Sequence, residues 1–239
     1  MSGLSTDTFF KGRLKVQQAR NGYRFSIDAV LLAHFVNPRP GDVILDLGTG
    51  CGIIPLILAF RHPKVTLYGV EIQADLADLA RANVMANGLE NRITTMQQDL
   101  KDLTPGAVAQ RVNMVVSNPP FRKINSGRMN PHEQRAIARH EIMATLQDVV
   151  AAASRMLSLG GRFILIYAVE RLADLLVFMR AAQIEPKRLR MVHSNGGSEA
   201  KLFLMEGIKG ANPGLIIAAP LIIYSQEGAY TEEVEQMLE

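Results

Sequence analysis

The chain has 239 residues, 48% of them hydrophobic, with 26 basic and 23 acidic side chains and a formal net charge of +3. That length and apolar content suit one α/β domain with additions, or at most two small domains, and exclude a disordered polymer. No apolar run reaches the roughly 18 residues of a membrane span; Met1 to Phe10 lack the basic-then-apolar pattern of a secretory signal; and the single cysteine, Cys51, permits no intrachain disulfide, so a reducing cytoplasm is the expected setting.

The elements alternate. Residues 1–26 are a basic, irregular or short-stranded prelude, and Ile27 to Val36 is predicted helical, stopped by Asn37-Pro38-Arg39-Pro40-Gly41. Strands are predicted at Val43–Leu47, Val65–Glu71, Arg92–Gln97 and Val112–Ser117, with helices at Gly52–His62 and Ala74–Asn87 between the first three. His132 to Leu157 reads as mostly helical, Gly160-Gly161 as a turn, Arg162–Ala168 as a strand and Glu170–Ala182 as a helix. Two final strands are expected at Lys187–His193 and Ala200–Glu206, then a punctuated tail and a short helix from Thr231. Such alternation predicts a parallel sheet with helices on both faces. Sheets of this kind bind ligands beyond the carboxyl ends of their strands, where the strand order reverses.

Three of those strand ends carry acids. The first runs into Asp46-Leu47-Gly48-Thr49-Gly50-Cys51-Gly52, a loop whose glycines let the backbone approach a ligand closely at the start of a helix. A dinucleotide fingerprint would space its glycines differently, and Asp46 is badly placed for a pyrophosphate. It suits a cation instead, such as a cofactor with an ammonium near a sulfonium. Glu71 follows the second strand, where a carboxylate accepts from ribose hydroxyls, and Asp99 follows the third, within reach of an adenine amine. Each acid alone reads equally as a cap or a surface group; together they predict an adenosine-bearing cationic cofactor, S-adenosylmethionine. Ile72 and Leu100, beside Glu71 and Asp99, are counted with the cofactor residues.

The fourth strand ends in Ser117-Asn118-Pro119-Pro120-Phe121. Asn118 precedes a proline and is pushed to extended backbone, and two prolines make a stiff corner. The Asn118 side-chain carbonyl and the Pro119 backbone carbonyl are two acceptors able to bind both hydrogens of one amino group, while Phe121 offers a face for a base to stack on. Catalytic Asn118, Pro119, Pro120 and Phe121 are therefore expected to align an amine for methyl transfer, and Asn118 also counts toward the cofactor site.

These residues resemble the amino-methylating branch of the class I methyltransferases. The flanks narrow the resemblance: Asn21 to Leu32, Ala138-Arg139-His140-Glu141, Val192-His193 and Glu206 to Gly210 are similar to segments of the bacterial tRNA(Val) adenine-37 N6-methyltransferase family, across about residues 8–210. The resemblance implies a Rossmann-like α/β fold with a mostly parallel seven-stranded sheet, helices on both faces and an antiparallel last strand. It implies methylation of adenine N6 beside the anticodon of a valine tRNA. It also implies that Arg24, Ser26 and Asp28 lie near the cofactor's methionine end, although Ser26 or Asp28 equally suits a helix cap. The expected organisation is a basic N-terminal extension and helix over residues 1–40, a methyltransferase domain over 41–210 and a C-terminal tail over 211–239.

The basic segments Lys11–Arg24, Arg122–Arg139 and Lys187–Arg190 are the expected tRNA surface, with solvated faces as the plainer alternative. Cys51 is read as a small space-filling residue. The five scattered histidines show no metal-ligand spacing, so no metal is expected, and nothing fixes an oligomeric state. Guanine-N2 methylation of ribosomal RNA is the runner-up. Glutamine methylation in release factors fits less well, because only about 40 residues precede Val43 and tyrosine usually follows the Asn-Pro-Pro corner. DNA adenine methylation lacks a target-recognition domain, and a non-catalytic RNA-binding module has no use for both the glycine loop and the Asn118 corner.

Overall fold

A computed structural model describes residues 3–20, 25–120 and 144–239. The sheet is built from β3 (Val43–Leu47), β4 (Thr66–Glu71), β5 (Ile93–Gln97), β6 (Val112–Ser117), β7 (Leu157–Ala168), β8 (Ile184–His193) and β9 (Ala200–Lys209), in the spatial order β5-β4-β3-β6-β7-β9-β8. β9 runs antiparallel to both β7 and β8, and the other pairs are parallel. Two short strands, β10 (Ile216–Ile217) and β11 (Leu221–Ile222), add to the outer edge of β8, making nine strands in all.

The apolar pattern dictates the layers. All five residues of β3 are buried, as a central parallel strand covered on both faces must be. Ile44 faces a core shared with α1 (Ile27–Phe35), α2 (Ile53–Arg61) and α3 (Ala74–Ala86), and includes Val30, Leu56 and Val84. Leu45 and Leu47 face the other core, with Val149 of α4 (Leu146–Met156) and Leu175 of α5 (Leu172–Ala181). Within the first face, Asp46 and Glu71 follow Ile44 and Leu67 at period two, so both acids point to the α1–α3 side. The chain runs β3, β4, β5 outward, then returns to β6 on the opposite side of β3, which sets the switch point at the ends of β3 and β6.

Several segments refine or differ from the sequence expectation. The prelude takes the short-stranded of its two alternatives, a hairpin of β1 (Leu4–Phe9) with β2 (Leu14–Ala19), whose tip places Phe10 and Lys11 at φ 52° and 57°. Phe10 sustains that bulky left-handed conformation because its ring is buried, stacked on Phe60 at 4.4 Å. Of the helix expected from His132, residues 132–143 lie outside the described residues; the described helix α4 starts behind a Thr145–Asp148 capping box. Gly160-Gly161 does not separate β7 from what precedes it. Leu157 pairs with Val112 and Arg162 with Met114, so the glycines form a bulge inside one strand. Beyond residue 210, Leu221, Ile223, Val234 and Met237 join the α1–α3 core, the last two from the terminal helix α6 (Glu232–Leu238).

Candidate cofactor and catalytic site

The loop from β3 to α2 takes its shape from Gly48, Gly50 and Gly52, at φ 75°, 57° and 86°, a region that a side chain disfavours. β4 anchors its first half. The Gly48 and Thr49 amides both donate to the Val70 carbonyl at 2.9 Å, and the Gly50 amide donates to Glu71 Oε2 at 2.9 Å. Glu71 Oε1 accepts from the Gln73 amide at 3.0 Å, so each carboxylate oxygen holds one backbone donor and keeps a further acceptor position. Thr49 packs onto Gly69 of β4, where a Cβ would lie 2.9 Å from its Cγ2 and Oγ1.

Asp46 is 1% exposed, and neither of its oxygens has a hydrogen-bond partner among the described residues; the same holds for Thr49 Oγ1. Burial pushes the carboxyl up to about 7, and the charge of Glu71 adds to the shift. The Thr49 hydroxyl opposes it from close by without reaching hydrogen-bond geometry. A buried acid left without partners beside a glycine loop is costly in isolation and becomes favourable once a cation arrives. The residues therefore fit a ligand with a positively charged amino-acid end.

The end of β6 is fixed against the end of β3, since Ser117, fully buried, donates its hydroxyl to the Leu47 carbonyl at 2.8 Å. Asn118 and Pro120 are half-buried and Pro119 is buried immediately beyond. Strand pairing of Leu47 with both Val70 and Ser117 brings Asp46, the glycine loop, Glu71 and Asn118 to three adjacent strand ends. Asp99, after β5, lies one strand further out. It caps a short turn, Oδ1 accepting from the Lys101 amide at 2.9 Å and Oδ2 meeting Lys101 Nζ at 3.4 Å. Half-buried Ile72 and Leu100 flank the two outer acids. Ser26 precedes α1 but does not cap it; its hydroxyl donates to Asp28 Oδ2 at 2.7 Å. Arg24, Phe121, His140, Glu141 and the basic segment Arg122–Arg139 lie outside the described residues.

Burial pushes the Cys51 thiol up to about 12, which agrees with a space-filling role and removes nucleophilic character. Ser117 and Asn83 are structural partners of the site that the motifs alone did not single out. Asn83 had a visible signal: it is a polar residue on the α3 stripe otherwise made by Ala77, Ala80 and Val84. A second cleft, about 640 Å³, lies at the other end of α2 between α1, α6 and β8. Its cations are already engaged, with Arg188 over the Phe35 ring and Arg190 on Glu233.

The strand order with its antiparallel β9, together with the glycine loop, defines a Rossmann-like α/β fold of the class I methyltransferase type. A crystal structure described as a predicted O-methyltransferase from Agrobacterium tumefaciens superposes with a TM-score of 0.72 at 23% identity, covering 88% of this chain and 94% of that one. The chain matches the methyltransferase small domain family over residues 26–176. A tRNA1(Val) (adenine(37)-N6)-methyltransferase of Porphyromonas gingivalis is 34% identical across 99% of this chain and 95% of its own length. One of the same description from Aeromonas salmonicida is 27% identical across 98% and 96%. The chain belongs to the methyltransferase small domain family, within the group formed by these tRNA-modifying relatives.

Proposed function

We propose that the protein is an S-adenosylmethionine-dependent N6-adenine methyltransferase of tRNA, acting on adenine-37 of the valine tRNA. The observation that carries the reading is the 34% identity, over nearly the whole of both chains, to a relative of that description. Buried Asp46 at the glycine loop, without a hydrogen-bond partner among the described residues, supports the cofactor. When bound, S-adenosylmethionine supplies an electrophilic methyl group. Asp46 would then offer its carboxylate to the cofactor's ammonium end, a role that the family resemblance extends to Arg24, Ser26 and Asp28. Glu71 uses its remaining acceptor positions for the ribose hydroxyls, Asp99 faces the adenine amine, and Ile72 and Leu100 cover the ring.

The chain aligns the substrate amine rather than deprotonating it. Asn118 and the Pro119 carbonyl accept the two N–H bonds, which turns the nitrogen lone pair out of conjugation and toward the methyl group. Pro120 stiffens the corner and Phe121 stacks on the base. No general base is required before attack, and the rate comes from orientation and fixed dipoles. The adenine must leave its stack to enter such a corner.

The catalytic unit in this reading is residues 41–210, with residues 1–40 and 211–239 as additions. Exposed Lys11, Arg13, Lys15 and Arg20 of the hairpin, with Arg122–Arg139, form the tRNA surface. Segment Lys187–Arg190 contributes less, because Lys187 donates to the Asn212 carbonyl at 3.2 Å and its two arginines hold Phe35 and Glu233. A cytoplasmic location follows from a tRNA substrate.

Incubation with labelled S-adenosylmethionine and, separately, unmodified tRNA and ribosomal RNA, followed by nucleoside mass spectrometry, tests the reading. N6-methyladenosine in tRNA is expected. N2-methylguanosine in ribosomal RNA would replace it with a guanine activity, and label on neither RNA with the cofactor bound would point to a protein amide.

A further inference from the structure

The second half of the glycine loop is held from α3, not from β4. Asn83, with no exposed surface, donates Nδ2 to the Cys51 carbonyl at 2.9 Å. The same carboxamide faces the N-terminal hairpin: Oδ1 accepts from the Gln17 amide at 2.8 Å, and Nδ2 donates to the Gln17 carbonyl at 2.8 Å. Both N–H groups and the oxygen are thus used, so the amide has one orientation, and turning it over would lose all three bonds. Next to it, Gly52 lies with a would-be Cβ 3.3 Å from Ala80, so α3 and the loop touch with no room between them. One turn further along, Asn87 makes the equivalent pair with Lys15, accepting from its amide at 3.0 Å and donating to its carbonyl at 2.7 Å. Asn87 makes no bond to the loop; its remaining N–H contact goes to the Asn83 carbonyl at 2.7 Å.

The geometry points to Asn83 as a positioning residue for the cofactor loop, held in register by the N-terminal hairpin. The inference rests on the cofactor reading above for what the loop binds, but not for the loop's own order. Without Asn83 the Cys51 carbonyl is buried with no donor from α3, and the turn that starts α2 loses its anchor on that side. Gln18 of the same hairpin extends the arrangement. It is 2% exposed, bonds Asp7 through Nε2, and accepts from the Phe25 amide at 3.3 Å, just ahead of Ser26. The hairpin therefore braces the loop through Asn83 and the entry to α1 through Gln18.

The chain carries its own reporter. Cys51 is the only cysteine, sits within the loop and is 2% exposed, so its labelling by a thiol reagent measures loop opening. Asn83→Asp keeps an acceptor for the Gln17 amide but, as a carboxylate, loses the donors to both the Gln17 and the Cys51 carbonyls. We expect Asn83→Asp to speed Cys51 labelling and weaken S-adenosylmethionine binding by about tenfold each, as the loss of a buried hydrogen bond predicts. kcat at saturating cofactor stays near the wild-type value. Asn87→Ala removes the neighbouring clamp on Lys15 but keeps the Asn83 bonds to Gln17 and Cys51, so labelling and cofactor affinity stay near wild-type values even where the melting temperature falls. Asn83→Ala gives the same answer if the aspartate variant folds poorly. Equal labelling and affinity in the Asn83 and Asn87 variants would overturn the proposal. Labelling that responds to Asn83 but never to S-adenosylmethionine would uphold the brace and defeat the cofactor reading instead.

Discussion

At the scale of single residues, Asp46 sets stability against binding. Its folded-state value of about 7 lies above the ordinary 3.8, so the folded protein holds this proton more tightly than the unfolded chain. The group's contribution is complete below pH 3.8 and is lost as pH rises through about 7, a change on the order of 4 kcal/mol. Asp46→Asn removes that loss. The cofactor-free variant should melt several degrees higher than wild type at pH 8, by roughly 2–4 °C per kcal/mol recovered, while the two converge near pH 4. The same substitution should abolish measurable cofactor binding. In wild type, affinity should climb between pH 5.5 and 7.5 as the acid ionises, in calorimetric titrations across that range. A flat affinity profile would remove Asp46 from the ammonium site. Asn118→Ala should lower kcat by about 10² to 10³ while leaving cofactor affinity intact, as expected for a dipole aimed at the reacting amine; lost cofactor affinity with kcat preserved at saturating cofactor would mean that Asn118 serves the cofactor alone.

Elements explain which expectations held and which did not. β3 and β6 were legible because a strand buried on both faces is written as a mostly apolar run, broken here only by Asp46, Asn113 and Ser117, and the structure places β6 at Val112–Ser117 as expected. The placement of Asp46, Glu71 and Asn118 was legible because they lie at or next to the ends of such strands. The hairpin was legible only as short strands, because its tip relies on Phe10 and Lys11 at positive φ instead of the usual Asn-Gly. The bulge at Gly160-Gly161 reads locally as a turn; only the pairing of Arg162 with Met114 reveals a continuing strand. The start of α4 had a signal in Thr145 and Asp148, and Thr145→Ala should cost about 1 kcal/mol in denaturant unfolding with no change in cofactor affinity. Gly69→Ala makes the contrasting case. It drives a Cβ into Thr49, so a cost of about 1–3 kcal/mol should come together with weakened cofactor binding, because the displaced residue belongs to the loop.

Across the whole molecule, what stayed illegible is the meeting of distant segments. Lys15 meets Asn87 and Phe10 donates its amide to the Leu238 carbonyl at 3.3 Å, pairings that no local pattern announces. Charge was legible as clusters but not as free surface: Arg190 is paired with Glu233, while Lys15, Arg20 and Arg188 remain exposed. Reversing Lys15 and Arg20 to glutamate should weaken tRNA binding and shallow its log–log salt dependence by about 1 for each phosphate no longer neutralised; an unchanged slope would move the RNA to another face. The manner in which α3 grips the hairpin has a consequence for how this protein diverges. Asn83 and Asn87 recognise only main-chain groups of Gln17 and Lys15, so the grip is indifferent to the side chains that the hairpin displays. The side chains that the hairpin displays can therefore change while Asn83 keeps its hold on the Cys51 carbonyl of the glycine loop.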